Sequence, residues 1–220
     1  MEYFKRSSLL MDRVEEVEIV RIVNSVFESN TYLIMNSNYR ICFLIDCGDS
    51  DPIIDNINRR NLSLKGVFIT HSHFDHIYGL NSVVEEYPEI SIYTSSFGKA
   101  GLYSDKLNLS RYNLYPYVLQ HCNRIRELNE GDVIDLYGSV VIEAYETPGH
   151  DKSCLTYKLG NSLFTGDAFI PGLKVVASFP NSNKMDAELS RQRILFLSKK
   201  CDLYPGHGEN YGNFQPEAYL

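Results

Sequence analysis

The amino-acid sequence predicts an α/β fold of two packed β-sheets with helices on the outside, and three observations lead there. Strand-like runs fall into two groups, one near the start of the chain and one from 124 to 170. Each group gives way to helical and strand-like segments, the order expected when two sheets pack together under flanking helices. No internal repeat, low-complexity tract or Pro/Gly/Ser-rich linker divides the 220 residues. One domain over 1–220 is therefore expected, with 1–14 as a candidate flexible extension.

The elements follow from local pattern. Residues 17–24 (VEIVRIVN), 31–36 (TYLIMN) and 41–46 (ICFLID) read as three strands. Residues 51–60 read as a short helix, capped by Ser50 or Asp51 with Pro52 in its first turn. The apolar run from Gly66 to Thr70 is short enough for a buried strand, and a helix near 79–87 and a strand at 90–94 follow it. Residues 95–120 are irregular and predict a short helix with a surface excursion. Beyond 124 come the strands RIREL, DVIDL, SVVIEAYET, SCLTYKL and SLFTGDAF, with turns at Asn129–Gly131 and Gly160–Asn161. Residues 185–199 have helical period, with Leu189, Ile194, Leu195 and Leu197 on an apolar side, and Asp202–Tyr204 is a last brief strand.

Composition narrows the function. At 44% hydrophobic and 22% charged, the chain reads as an ordinary soluble protein. Its net charge of −7 and lack of Lys/Arg runs weigh against a nucleic-acid partner, which needs clustered cations. No stretch has the length of a membrane-spanning helix or the build of a signal peptide, so a cytoplasmic protein without a membrane partner is expected. The five cysteines have unrelated spacings and form no CxxC pair, which fits free thiols. Tyrosines are many (16, against no Trp), and Tyr103, Tyr112, Tyr115 and Tyr117 crowd the irregular segment. They suit loop packing or a homodimer contact better than a substrate wall, although Tyr112 is a candidate for substrate binding.

The chemistry concentrates in Thr70-His71-Ser72-His73-Phe74-Asp75-His76. Strand alternation sets His71 and His73 on one side, and a bend after them brings in Asp75 and His76 from another direction. Any one of these histidines alone would read as an ordinary hydrogen-bonding residue. Crowded together they repel once protonated, unless a metal holds them neutral. His150 and His207 each follow a Pro-Gly turn after a predicted strand, and Asp167 follows another strand behind the small Gly166. His121 has no such setting and reads as a loop histidine. Imidazole and carboxylate donors without a thiolate suit Zn²⁺, with Fe or Mn also accommodated.

THSHFDH at 70–76, TPGH at 147–150, TGDAF at 165–169 and PGHG at 205–208 resemble, in this order, the HxHxDH-bearing metallo-β-lactamase superfamily. The resemblance runs from SNTYLI around Asn30 through LIDCG at 44–48 to His207. It implies a four-layer αββα sandwich of two mixed sheets flanked by helices. It also implies two metal ions, one held by His71, His73 and His150 and one by Asp75, His76 and His207, with Asp167 bridging. Asp46 resembles the family's carboxylate that orients a ligand histidine, and reads equally as a strand-end turn residue before Gly48.

The reaction implied is hydrolysis, with a metal-activated water attacking a thioester or ester carbonyl and Asp75 also serving as general base. Aspartate at 167, where the true β-lactamases carry cysteine, resembles the glyoxalase II-like branch, and Asp105–Ser110 is similar to a loop in small members of that branch. A small-molecule substrate follows, such as an S-acyl conjugate of glutathione or another thiol. Lys174 is the one nearby cation available to grip it. A persulfide dioxygenase with one iron keeps a similar ligand pattern, but usually carries Gly-Arg-Thr-Asp where this chain has Ile170-Pro-Gly-Leu-Lys-Val-Val176. A lactone hydrolase is a further alternative. A non-catalytic binding module would be expected to have lost ligands.

Overall fold

The computed structural model describes residues 17–36, 38–120, 122 and 124–219. The expected extension at 1–14 and His121 lie outside the described residues. β1 (Glu18–Val23), β2 (Asn30–Asn36) and β3 (Ile41–Ile45) form an antiparallel meander. The chain then passes through α1 (Ser50–Arg59) to β4 (Ser63–Phe68), through α2 (Leu80–Glu86) to β5 (Ser91–Thr94), and through α3 (Ser96–Leu102) to β6 (Ile125–Glu127). These strands add in parallel, completing a six-stranded mixed sheet of order β1-β2-β3-β4-β5-β6. A second meander follows, of β7 (Val133–Tyr137), β8 (Val140–Glu146), β9 (Leu155–Leu159) and β10 (Ser162–Gly166). A crossover through α4 (Lys184–Leu197) then places β11 (Asp202–Pro205) parallel to β10, giving the order β11-β10-β9-β8-β7.

Burial follows the patterns that sheets on two kinds of terrain require. β2 is buried throughout, its apolar centre Tyr32–Met35 covered on both faces and its polar ends Asn30, Thr31 and Asn36 buried with it. In β8 only Ile142 and Ala144 are buried, and Glu143 between them is partly exposed on the other face. An aromatic seam closes the two sheets on each other: Phe68 stacks on Tyr93 at 4.4 Å and meets Tyr157 edge-on at 5.4 Å. The first sheet's outer face packs with Ile53 and Ile57 of α1 and Leu80 and Val83 of α2. The second sheet's outer face packs with Ile194 and Leu195 of α4. Among the described residues no helix is long and apolar enough to cross a membrane. All five cysteines are buried free thiols, Cys154 among them.

Three local expectations are corrected. α1 is capped by Asp49, not by Ser50 or Asp51, and the Asp49 carboxylate makes no cap bond because it accepts from Ser25 N at 2.7 Å and Ser25 Oγ at 2.8 Å. β4 ends at Phe68, two residues early. Ile69 N still donates to Tyr93 O of the first sheet, but Thr70 O accepts from Leu155 N of the second, so the chain crosses between sheets where the histidines begin. On α4 the residue Leu189 is 60% exposed, and the small Ala187 and Ser190 face inward in its place. There the Pro148–Gly149 turn lies against α4: Ser190 Oγ donates to Pro148 O at 2.6 Å, and a Cβ on Gly149 would meet Ala187.

Candidate metal centre

Five loops leave the carboxyl ends of β3, β4, β8, β10 and β11 and meet at one end of the sandwich. The β4 loop carries His71 and His73, then tightens into a 3₁₀ turn, Phe74–His76, that swings Asp75 and His76 inward. Phe74 N donates to Asn108 O at 2.9 Å, and the Asn108 side chain is itself held by Gly101 O and Tyr117 O. The Asp105–Ser110 loop thus props the turn. The β8 loop contributes His150, with Gly149 at φ +137° directly before it. The β10 loop contributes Asp167, and Gly206 N donating to Gly166 O at 2.9 Å brings the β11 loop and His207 alongside it.

The seven side chains singled out in the sequence converge. Ligand atoms of His71, His73 and His150 lie within 4.8 Å of one another, as do those of Asp75, His76 and His207, and those of His71, His76 and Asp167. Asp167 sits between the first two groups: its Oδ2 is 3.5 Å from both His150 Nε2 and His207 Nε2, and its Oδ1 is 3.5 Å from His76 Nε2.

Hydrogen bonds at the backs of the rings show which nitrogens face inward. His150 Nδ1 donates to Val176 O at 2.8 Å, and His207 Nδ1 donates to Phe27 O at 3.0 Å. His76 Nδ1 donates to Asp46 Oδ2 at 3.0 Å. Thr70 Oγ1 donates to Asp46 Oδ2 at 2.8 Å, which leaves it to accept from His71 Nδ1 at 3.1 Å. Each of these rings is therefore anchored at the back through Nδ1, and Nε2 of His71, His76, His150 and His207 is the atom turned to the shared space. His76 Nε2 and His207 Nε2 face each other at 3.3 Å, and His71 Nε2 is buried with no hydrogen-bond partner. Two Nε2 atoms facing each other and an orphaned buried one are unfavourable unless a proton or a metal cation lies among them. The donor set fits metal ions.

Electrostatics agrees. Burial pushes the Asp75 and Asp167 carboxyls up, but the surrounding imidazoles, His76 foremost, outweigh it and hold both well below the usual carboxylate range. Burial also works against charge on His207, yet Asp167 and Asp75 raise it to about 9. His71 goes the other way, driven down by burial and by His76 and His73. Without metal, the carboxylates draw protons onto the imidazoles nearest them.

A family model described as the metallo-β-lactamase superfamily matches residues 24–207. The chain belongs to the metallo-β-lactamase superfamily. Among curated members, it is 28% identical over 148 residues to a hydroxyacylglutathione hydrolase of Buchnera aphidicola, a match covering 67% of this chain and 50% of that protein. The chain thus spans half the length of that relative. It is 25% identical to a probable polyketide biosynthesis zinc-dependent hydrolase of Bacillus velezensis, over 92% of this chain and 84% of the other. Among solved structures, the BLEG-1 B3 metallo-β-lactamase superposes with a TM-score of 0.79 at 22% identity, covering 88% of this chain and 93% of that one, which shows the shared superfamily fold.

Within this superfamily fold, Asp46 reconciles its two readings. It is a strand-end residue at φ +59°, and from that bend its carboxylate holds Thr70 N at 2.7 Å, Thr70 Oγ1 and His76 together. Lys174 and Tyr112 are not among the converging ligand groups. Lys174 lines a groove with Val176, Lys184 and Arg191 beside α4, and Tyr112 is 81% exposed in a 3₁₀ turn. The sequence reading missed the backbone acceptors Val176 and Phe27, the outer acceptor Thr70, and Phe179, whose ring meets His73 and His150 edge-on at 5.3 and 5.7 Å. It also passed over Asp151, the carboxylate next to His150. An acidic residue directly after a ligand-type histidine, with Ser153 two positions on, was the available signal.

Gly149 carries a backbone constraint on the site. A Cβ built there would lie 2.2 Å from Ala187 N, and its φ is one that side chains resist. Gly149→Ala is expected to destabilise the fold by about 3 kcal/mol. At a few degrees per kcal/mol for a chain this size, the melting temperature should fall by about 6–12 °C in a thermal scan. An unchanged melting temperature would show that α4 yields freely.

Proposed function

We propose that this protein is a two-metal hydrolase that cleaves thioesters or esters, with His71, His73 and His150 holding one ion, Asp75, His76 and His207 the other, and Asp167 shared. The observation carrying this reading is the convergence of inward-facing imidazole nitrogens with the Asp75 and Asp167 carboxylates. Nitrogen and oxygen donors without a thiolate suit Zn²⁺ and also accommodate Fe or Mn. When bound, the ions supply Lewis acidity to a carbonyl oxygen and bring the pKa of a water down to about 7.

The chain's own residues do the rest. Asp75 is ionised, and its Oδ2 lies 3.3 Å from both His76 Nε2 and His207 Nε2, so it can take the proton of an attacking water. Asp167 reaches imidazoles of both groups and fixes their separation. Phe179 covers one flank of His73 and His150 and limits water there. Thioester cleavage is supported by the names of the relatives and by aspartate at 167. Lys174, in the groove beside Val176, offers a cation to an anionic thiol carrier.

A test pairs thiol release from acyl-glutathione and from a simple acyl thioester with oxygen uptake on glutathione persulfide. Thiol release without oxygen uptake is expected. Oxygen uptake without hydrolysis would replace this reading with a one-iron dioxygenase.

Metal uptake should also depend on pH in a defined direction. His207 in the metal-free protein keeps its proton until about pH 9, above the ordinary value of 6.5. That charge stabilises the metal-free fold fully below the ordinary value and is lost as pH rises through about 9. Metal must displace the same proton, so its affinity should rise over that interval, by up to tenfold per pH unit for each proton released. Chelator competition at several pH values measures this, and a flat profile would contradict it.

A further inference from the structure

Four of the five clustered imidazoles have a hydrogen-bond acceptor behind them, and His73 is the exception. Its Nδ1 faces inward, 2.9 Å from His150 Nε2, while its Nε2 points away and is buried with no hydrogen-bond partner. Asp151 Oδ2 lies 3.6 Å from that Nε2, and is equally buried and equally without a hydrogen bond. The two side chains are 6% and 5% exposed, so water cannot readily satisfy either atom. The other Asp151 oxygen is fully used: Oδ1 accepts from Ser153 N at 2.8 Å and from Ser153 Oγ at 2.5 Å. A turn that needs only Oδ1 is equally served by asparagine, so the turn leaves the ionised Oδ2 unexplained.

We propose that Asp151 is the positioning carboxylate of His73, accepting its Nε2–H and thereby turning the Nδ1 lone pair toward the metal position shared with His71 and His150. This inference rests on the two-metal reading above. The alternative tautomer places the proton on Nδ1, donated to His150, and sets the Nε2 lone pair against a carboxylate, so two acceptors face each other in a buried space. Asp151 disfavours that arrangement. The separation is an ion-pair distance, and a shift of about half an ångström brings it within hydrogen-bond range. Asp46 stands behind His76 in the same way. Each triad then has one histidine backed by a carboxylate, and the remaining three rings are backed by neutral oxygens of Thr70, Val176 and Phe27. A carboxylate behind the ring fixes its tautomer and orientation, so each metal position has its own positioning residue.

Asp151→Asn separates this role from the turn. Asparagine keeps an oxygen for Ser153 and presents an NH₂ to His73 Nε2, which favours the wrong tautomer. In chelator competition with zinc-reconstituted protein, one of the two equivalents should bind about 10–100-fold more weakly and the other unchanged. The melting temperature of the metal-free variant should match that of the parent. Nitrogen-15 NMR of the metal-free proteins reads the tautomer directly: Nε2–H on His73 in the parent, Nδ1–H in the variant. If the parent binds no zinc, the two-metal reading fails and the NMR result still decides for or against Asp151. If the parent binds zinc and the variant holds it as tightly, with the same tautomer, the role of Asp151 is overturned.

Discussion

His71→Ala is expected to leave a folded protein that retains little metal and has lost turnover by ~10³-fold or more, the rate equivalent of several kcal/mol of metal-supplied stabilisation. His71 is fully buried, and its ring stands 4.7 Å from that of His73, 4.3 Å from His76 and 5.0 Å from His150. Its ring touches rings of both groups of ligands, so its loss removes a donor that a neighbour cannot replace. Metal content and thioester turnover, measured on the same preparation, check this. Full turnover in the variant would show that the imidazole cluster is not the reaction centre.

Asp167→Asn should have the next largest effect. The carboxylate carries the negative charge that both groups of imidazoles share, at 3.5 Å from His76, His150 and His207. The amide keeps the shape and removes the charge, so retained metal should drop from about two equivalents to about one, with activity falling by at least ~10²-fold. The effect should persist in high salt, because the group is enclosed and weakly screened. Two equivalents retained by the variant would show that Asp167 is not shared.

The centre was legible because its residues announce themselves locally. His71, His73, Asp75 and His76 lie within one loop, and His150, Asp167 and His207 each end a strand at a small-residue turn, so strand pattern and residue type located them together. The parts that were not legible depend on contacts between distant segments. Val176 O behind His150 and Phe27 O behind His207 are backbone atoms, which carry no residue signature. Asp49 was passed over as a helix cap because its carboxylate serves Ser25, a partner 24 positions away. The apolar side of α4 was misjudged at Leu189 because the Pro148–Gly149 turn presses on Ala187 and Ser190, and helical period alone does not reveal what a helix will meet. Asp46 was visible as a strand-end aspartate, but its hold on both Thr70 and His76 emerges only when β3 and β4 lie side by side.

The most direct test is metal analysis of protein purified without added metal or chelator. About two ions per chain are expected, falling to about one in Asp167→Asn, as a shared carboxylate between two metals requires. No bound metal, or one ion per chain unaffected by that substitution, would contradict the two-metal centre.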